Sequence, residues 1–200
     1  KTENRKNIHL RGKEYYQKLL DTYPDHSYIT LSSIDLKARL DDLQAQLTKA
    51  LKEAEKFTEK TKPGKIENNQ QEQKRLQEEI DFLQDKISQG ATVVPLSGTL
   101  VLEYGKTSEN IYAGMDEEYR RYQPAIITWY ETAKHAFERG ADWQNMGGIE
   151  NDLKGGLYSF KSKFNPTIEE FAGEFNLPTN PLYHLSNLAY TIRKKLRSKH

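Results

Sequence analysis

The hydrophobic positions between residues 33 and 90 follow a helical period in two separate stretches. In the first stretch, leucines and one alanine recur three or four residues apart, which places them on one face of a helix. They are Leu36, Leu40, Leu43, Leu47, Leu51 and Ala54. A second series consists of Leu76, Ile80, Leu83 and Ile87. Because Pro63 and Gly64 interrupt the two series, the pattern predicts an antiparallel helical hairpin, a two-helix coiled-coil arm with the Pro-Gly pair at or near its tip.

Residues at both ends of this arm favour helix termini. Ser32, with Asp35 three residues later, is typical of a helix N-cap, and Gly90 suits the position after a helix C-terminus. Since the two seams are predicted to bury each other, we expect the rest of the chain to fold without the arm.

The segments on either side of the arm alternate between helical and strand patterns. The predicted elements are a helix at 13–23, a strand at 27–31, strands at 99–104 and 110–114, a helix at 124–139, a strand at 143–146, a helix at 156–164, a strand at 168–175 and a helix from residue 181. The helix that begins at Pro124 carries apolar residues, among them Trp129, Tyr130 and Phe137, at a period near 3.6, so we expect it to lie against a sheet. Helices and strands around one core predict an α/β or α+β fold with the arm inserted.

Composition narrows the range of functions. The 200 residues carry a net charge of only +1, and the mean hydropathy of −0.88 is low for one compact domain, which favours an extended polar element such as the arm. With no cysteine, the chain has no disulfide, no thiolate nucleophile and no Cys-ligated zinc. No window approaches the 18 or so apolar residues of a membrane span. The chain starts with Lys1 rather than Met, so we expect it to be part of a longer protein.

The charge of the arm is close to neutral. Residues 33–90 contain 11 basic and 12 acidic side chains, so nucleic acid would have to meet a local patch. The candidate patch is the row Lys49, Lys52, Lys56 and Lys60. The alternative is a solvated face on which these lysines pair with neighbouring glutamates.

Few residues carry obvious chemistry. The histidines, at positions 9, 26, 135, 184 and 200, have no metal-ligand spacing, so no metal site is predicted. The glycine-rich residues 144–149 favour either a tight turn or a loop that approaches a phosphate or carbonyl group. On the short helix at 156–164, Lys161 and Lys163 stand among aromatic residues, where a desolvated ammonium would act strongly on a developing oxyanion. The alternative is an amphipathic helix whose lysines reach into solvent.

Five strings of sequence resemble the Fem family of non-ribosomal peptidyltransferases, the FemABX and MurM/MurN group. They are IYAGMDEEYRRY at 111–122, WYETAK at 129–134, QNMGGI at 144–149, GLYSFKSKFN at 156–165 and EFAGEF at 170–175. An arm ending in EIDFLQ at 79–84 is also similar to that of the MurM/FemA-like members. The resemblance covers nearly the whole chain.

The resemblance implies both a fold and a reaction. Family members have two acetyltransferase-like (GNAT-like) domains and transfer an amino acid from aminoacyl-tRNA to the stem-peptide amine of lipid II, which builds the peptidoglycan bridge in the cytoplasm. By this resemblance, residues 1–32 and 91–200 form the second such domain and residues 33–90 form its arm. The chain alone is expected to be inactive, and no cofactor is expected beyond aminoacyl-tRNA as co-substrate. The alternative is a non-enzymatic coiled-coil interaction module on the same scaffold.

The resemblance also assigns site residues. Lys161 matches the family lysine proposed to stabilise the transition state, and Phe160 is its neighbour in the motif. Tyr112 matches an aromatic position near the peptidoglycan precursor, and Gly147 with Gly148 resembles a common Gly-Gly turn. The chain departs from the family pattern in two places. Met115-Asp116 stands where relatives often have Ser-Ser or Ser-Asp, and Asn165 where many have Gly, which leaves the choice of substrate open.

Two surfaces are predicted to bind partners. The arm resembles the tRNA-binding hairpin of seryl-tRNA synthetase, which implies contact with aminoacyl-tRNA; the alternative is packing or self-association. Near the C-terminus, basic residues continue an apolar helix that bears Leu185, Leu188, Ile192 and Leu196. They are Arg193, Lys194, Lys195, Arg197 and Lys199. Such a tail is expected either to dock on anionic lipid at the inner face of the plasma membrane or to remain a solvated helix end.

Overall fold

The computed structural model describes residues 11–173, 175, 177–180 and 182–197. The chain divides into two compact units. Residues 23–148 form the sheet unit, and residues 1–22 together with 149–200 form the terminal unit. Helices and strands are mixed, so the predicted α/β class is confirmed.

The sheet unit is built on one mixed four-stranded sheet. Its strands are β1 (Ser27–Asp35), β2 (Val93–Tyr104), β3 (Thr107–Met115) and β4 (Trp143–Asn145), in that spatial order. Strands β1, β2 and β3 pair antiparallel, whereas β4 runs parallel to β3. The sequence predicted a strand at each of these positions, although the first three are longer than expected.

Strand β2 begins six residues before its predicted start, and a bulge accommodates Pro95 within it. In the pairing with β1, Ser32 lies opposite Ser97 but Ser33 lies opposite Pro95, so Leu96 has no partner of its own. Proline has no N–H to donate to a strand ladder, and it is tolerated at an irregular position of this kind. As a consequence, the consecutive residues Leu96 and Ser97 are both buried.

The predicted arm consists of two helices that pack against each other, α2 (Leu36–Ala54) and α3 (Pro63–Ser88). The break between them falls where the sequence placed it. Pro63 is the first residue of α3, a position where the missing N–H removes no helical hydrogen bond. Gly90 follows α3 with a φ of +90°, the left-handed conformation that glycine adopts without strain.

The N-terminus of α2 is capped three residues later than predicted. Asp35 is the cap: its carboxylate accepts hydrogen bonds from the backbone N–H groups of Lys37 and Ala38, both at 3.0 Å. Ser32, the predicted cap, lies within β1, where its hydroxyl bonds to the side chain of Thr128. The helix therefore starts directly at the end of the strand, without a linker.

The base of the arm shares its hydrophobic core with the sheet. The buried members of this core are Leu36, Leu43, Leu76, Ile80, Leu83, Leu96 and Tyr119. Leu96 belongs to β2, and Tyr119 belongs to the 3-10 helix Glu117–Tyr122 that follows β3. The expectation that the arm seams bury only each other is therefore wrong at this end, because they also cover residues of the sheet unit. A chain without the arm would lose most of this core.

A buried carboxylate ties the two arm helices together beside this core. Glu79 of α3 is 4% exposed. Arg39 of α2 donates two hydrogen bonds to its Oε1 atom, at 2.8 and 3.0 Å, and Arg75 donates one to Oε2 at 3.3 Å. Burial, together with this carboxylate, raises the pKa of Tyr122 to about 12. Because a buried charge without partners is costly, the cluster holds α2 and α3 in one mutual arrangement.

Helix α4 (Pro124–Glu138) lies against the sheet, as predicted, and its buried face combines Pro124 and Ala136 with two threonines. The hydroxyl groups of Thr128 and Ser32 are 2.7 Å apart, and those of Thr132 and Thr99 are also 2.7 Å apart. Both threonines of the helix are almost completely buried. Each hydroxyl also donates to the carbonyl one turn earlier, so no hydrogen bond is lost on burial.

The apolar stripe of α4 is offset from this contact face. Ala136 is fully buried, but Tyr130 and Phe137, which the sequence predicted to face the sheet, are 55% and 51% exposed. Hydropathy counts threonine as polar, although its methyl group packs well and its hydroxyl can bond to the preceding turn. The period was therefore predicted correctly, and the buried face was not.

The terminal unit contains the three helices predicted for it. They are α1 (Lys13–Thr22), α5 (Gly156–Lys161), which continues as the 3-10 turn Ser162–Phe164, and α6 (Leu182–Arg197). Residue 181, where α6 was predicted to begin, lies outside the described residues.

The strand predicted over residues 168–175 is wrong. Residues 168–173 and 175 adopt no regular structure. Ile168 and Phe171 are 50% and 79% exposed, so neither side chain is buried against another element. A strand also needs a neighbouring strand to satisfy its backbone groups, and local sequence does not supply one.

The domain division stays a prediction. It assigns residues 1–32 with 91–200 to an acetyltransferase-like domain and residues 33–90 to the arm. The shared core at the base of the arm links the two parts physically.

We predict that Leu43→Ala lowers the free energy of unfolding by about 2–5 kcal/mol, because it leaves a cavity in this shared core. Leu43 is fully buried. Leu51→Ala, on the same helix but at a position 47% exposed, is the matched control and should cost under about 1 kcal/mol. Urea denaturation followed by circular dichroism measures both. Equal losses would contradict the role of the shared core.

Candidate functional site

The short helix α5 carries the lysine and phenylalanine singled out by the sequence. Lys161 is the last residue of α5 and is 7% exposed, whereas Lys163, two residues later, is exposed. Phe160 packs edge-on against Phe164, with ring centroids 5.6 Å apart. Only one of the two lysines is thus withdrawn from solvent, as the 100° step of a helix requires for positions two residues apart.

Two opposing effects set the pKa of Lys161. Burial lowers it, because the ammonium loses hydration, and the negative charge of Glu150 offsets only part of this decrease, so the pKa of Lys161 lies below its usual value. A buried ammonium acts on nearby charge more strongly than an exposed one, because the surrounding dielectric constant is lower. Lys161 is therefore suited to stabilise an anion for as long as it remains protonated.

Glu150 holds the first turn of α5. Its Oε1 atom accepts a hydrogen bond from the Leu157 N–H at 3.1 Å, and its Oε2 atom accepts one from the Tyr158 N–H at 3.0 Å. No sequence pattern identifies this residue, because it lies six positions before the helix rather than at a cap position. The one available signal is the pair Gly155 and Gly156, since adjacent glycines allow another group to approach the backbone closely.

The remaining predicted site residues belong to the sheet unit. Tyr112 is a half-buried residue of β3, opposite Leu100 of β2. Gly147 follows β4 with a φ of +74°, and its N–H donates to the Asn145 side chain at 2.8 Å. Gly147 and Gly148 thus lie in an irregular segment after the strand, where the Asn145 side chain bonds back to the backbone.

The predicted residues divide between the two units. Lys161 and Phe160 are adjacent in the terminal unit, whereas Tyr112, Gly147 and Gly148 belong to the sheet unit. Their catalytic and substrate-binding roles stay predictions. In the portion of the chain that the structure describes, no group of three or more His, Asp or Glu side chains is arranged to hold a metal ion.

The tip of the arm concentrates positive charge. Residues 49–65 contain six lysines and three glutamates, whereas the rest of the arm has five basic and nine acidic residues. A groove at the tip is lined partly by Lys49, Lys52, Lys56 and Lys65. Because α2 ends at Ala54, the predicted row of lysines does not continue along the helix to Lys60. Lys65 joins the groove from α3 instead, 2.9 Å from Glu53.

Helix α6 presents apolar side chains to solvent. Leu182, Leu185, Leu188 and Ile192 are between 50% and 66% exposed. Basic residues follow at 193–195 and 197, and residues 182–197 contain no acidic residue. Lys199, the fifth basic residue of the predicted tail, lies outside the described residues. None of the helices in the described ranges has the length and apolar character of a bilayer-spanning segment.

Comparison with known families identifies the chain. The model of the FemAB family matches residues 1–191. The chain belongs to the FemAB family. The family resemblance stated from its sequence motifs is therefore confirmed.

Several FemAB relatives are similar over most of this chain. The Lipid II:glycine glycyltransferase of Staphylococcus epidermidis is 28% identical over 199 residues, which cover 92% of this chain and 47% of the relative. The aminoacyltransferase FemA of Staphylococcus aureus is 27% identical over 209 residues, covering 94% and 47%. This FemAB chain thus spans about half the length of the curated relatives it matches.

A solved structure supports the FemAB fold. The crystal structure of FemX matches with a TM-score of 0.52 and 22% identity, over 81% of this chain and 44% of the FemX chain. At this identity the match bears on the fold alone, and it agrees with the mixed α/β architecture described above.

Proposed function

We propose that this chain is part of an aminoacyl-tRNA-dependent transferase that builds the interpeptide bridge of peptidoglycan. In this reaction an amino acid passes from tRNA to the stem-peptide amine of lipid II. Membership of the FemAB family supports the proposal, as do relatives named Lipid II:glycine glycyltransferase and aminoacyltransferase FemA. The reaction needs no cofactor, because aminoacyl-tRNA supplies the activated ester.

The observation that carries the proposal is the buried lysine at the end of α5. When the amine attacks the ester carbonyl, the carbonyl oxygen becomes an oxyanion in a tetrahedral intermediate. The intermediate then collapses and releases the ribose hydroxyl of the tRNA, and the attacking nitrogen loses a proton. A fixed ammonium at Lys161 would stabilise the oxyanion more than the neutral ester, which lowers the barrier.

In the same proposal, Phe160 shapes the surroundings of Lys161, and Tyr112, Gly147 and Gly148 contact the peptidoglycan precursor. Phe160 has the firmer support, because its packing on Phe164 fixes it beside the lysine. For Tyr112, the support is its position on a strand, where the backbone holds the ring in a defined place.

The arm tip is the proposed contact for the tRNA. Its exposed lysines, among them Lys49 and Lys52, offer charge to a phosphate backbone, and the segregation of charge along the arm favours the tip over the base. Lys65, by contrast, is already paired with Glu53 and lies over the ring of Phe57.

The tail is the proposed membrane contact. Lipid II resides in the membrane, so a transferase that acts on it gains from residence at the inner, cytoplasmic face. The exposed apolar positions of α6 and the basic residues that follow suit a helix that lies at the surface of an anionic bilayer.

We predict that Lys161→Ala in the full-length protein lowers turnover of aminoacyl-tRNA and lipid II by about 100-fold or more, the effect of a lost oxyanion partner. Lys163→Ala is the matched control, because it removes the same charge from an exposed position two residues away, and it should stay within a few-fold. A transfer assay at saturating substrate measures both. A raised Michaelis constant with unchanged turnover would reduce Lys161 to a binding role.

We predict that Lys49→Gln with Lys52→Gln weakens the binding of tRNA. Removing a lysine that contacts a phosphate should also reduce the steepness of the plot of log affinity against log salt concentration by about 1 for each lysine removed. Lys37→Gln with Lys74→Gln removes the same charge from the arm outside its tip and should leave the slope unchanged. Filter binding across a salt series measures both. Equal losses in the two double variants would exclude the tip as the contact.

We predict that changing the five basic residues at 193–195, 197 and 199 to Gln weakens binding to anionic vesicles by about 1 kcal/mol per residue. Binding to neutral phosphatidylcholine vesicles should not change. The control carries five substitutions at exposed arm lysines. They are Lys37, Lys49, Lys52, Lys60 and Lys74, each changed to Gln. Vesicle co-sedimentation measures both, and unchanged binding of the tail variant would remove the membrane contact from the proposal.

A further inference from the structure

The carboxylate of Glu150 occupies a position built around it at the start of α5. A helix begins with backbone N–H groups that have no partner within it, and Glu150 places one oxygen on each of two such groups, at 3.1 and 3.0 Å. The N-cap residue itself, Gly155, has no side chain that could do this. In a helix of six residues, two satisfied amides are a large share of what fixes its first turn.

Gly155 is required by this arrangement. A Cβ atom at this position would overlap with the Cγ, Cδ and Oε1 atoms of the Glu150 side chain. Any other residue at 155 would therefore displace the carboxylate from the two amides. Gly155 and Glu150 therefore depend on each other, because the missing side chain of the glycine leaves the space that the carboxylate occupies.

The same carboxylate acts on the far end of the helix. Lys161 is buried in the last turn of α5, and Glu150 is the charge that raises its pKa against the effect of burial. The other ionisable groups of the loop and the turn, Asp152, Lys154 and Lys163, are exposed to solvent, where their fields are screened. One side chain thus fixes the helix and favours the charged form of its lysine.

We propose that Glu150 is a positioning residue for Lys161: it fixes the first turn of α5 through the Leu157 and Tyr158 amides, and it supplies the negative charge that acts on the buried lysine at the end of the same helix. The inference rests on the proposed function, in which the Lys161 ammonium faces the oxyanion. The role of Glu150 is indirect, because it acts through the helix and through the lysine rather than on the substrate.

The test is the pKa of Lys161 itself, measured by NMR titration of the full-length protein with ¹³C-labelled lysine side chains. The Lys161 signal is identified by its absence in Lys161→Arg. In Glu150→Gln the pKa should fall, because the charge that opposes the effect of burial is gone. Asp152→Asn is the matched control: it removes a carboxylate that caps the Lys154 N–H at 3.1 Å in the same loop, and it should move the pKa less.

Two further variants separate positioning from charge. Glu150→Asp keeps the charge, but its side chain is one carbon too short to reach both amides. Its Lys161 pKa should therefore stay close to the wild-type value, whereas its turnover should fall. Gly155→Ala displaces the carboxylate without removing it, so we expect both Gly155→Ala and Glu150→Gln to lower turnover. Near-ultraviolet circular dichroism and the melting temperature show whether each variant is folded.

The outcomes distinguish this inference from the proposed function. If Lys161 acts as an ammonium, the alkaline limb of the pH profile of kcat/KM should move to lower pH in Glu150→Gln, because Lys161 loses its proton earlier. An unchanged Lys161 pKa in folded Glu150→Gln overturns the inference, whatever Lys161 does in catalysis. A lowered pKa combined with full turnover in Lys161→Ala leaves the effect of Glu150 on Lys161 standing and overturns the proposed role of Lys161 in the transfer.

Discussion

The packing of the arm helices on Leu96 and Tyr119 is the contact on which the sheet unit depends. A sheet of four strands with one helix, α4, on it has few large apolar side chains to bury, and the buried residues of that helix, Pro124, Thr128, Thr132 and Ala136, are all small or medium-sized. The leucines at the base of α2 and α3 supply the bulk that is missing. The arm is therefore not an appendage to a finished domain, since its first turns complete the core of that domain.

This arrangement also accounts for the way the arm joins the sheet. Strand β1 passes into α2 at Asp35, and its neighbour β2 begins three residues after Gly90. Both connections are short, and the Glu79 cluster fixes the two helices to each other close to the shared core. Because the connections, the core and the ion pairs coincide, we expect the base of the arm to move as one body with the sheet and any bending to occur nearer its tip.

Much of the fold was predictable, because the spacing of hydrophobic residues and the positions of proline and glycine are local properties of the sequence. The leucine seams, the break at Pro63 and the left-handed Gly90 each act through residues close in the chain. The errors arose where a distant partner decides the outcome. Whether residues 168–175 form a strand depends on a neighbouring strand, and whether Thr128 faces the sheet depends on the Ser32 hydroxyl opposite it.

The residues of the candidate site also divide into those that the sequence identified and those that it could not. Lys161 was identified through a family motif, and the structure shows that it is withdrawn from solvent whereas Lys163 is exposed. Glu150 could not be found, because its bonds to α5 join residues seven and eight positions apart across the irregular loop 151–155. No periodic sequence pattern predicts such a contact. The reason for the pair of glycines at 155 and 156 is understood only once the structure is known.

The separation of charge along the arm has a consequence that its near-zero net charge conceals. A rod that is positive at one end and negative along the rest carries a large electric dipole moment. In the field of a polyanion, such a rod experiences a torque before it experiences a net attraction, so it turns its lysine-rich end toward the source. Because this orienting effect acts only within a Debye length of about 8 Å at physiological salt, it would shape the final approach of a partner rather than its long-range capture.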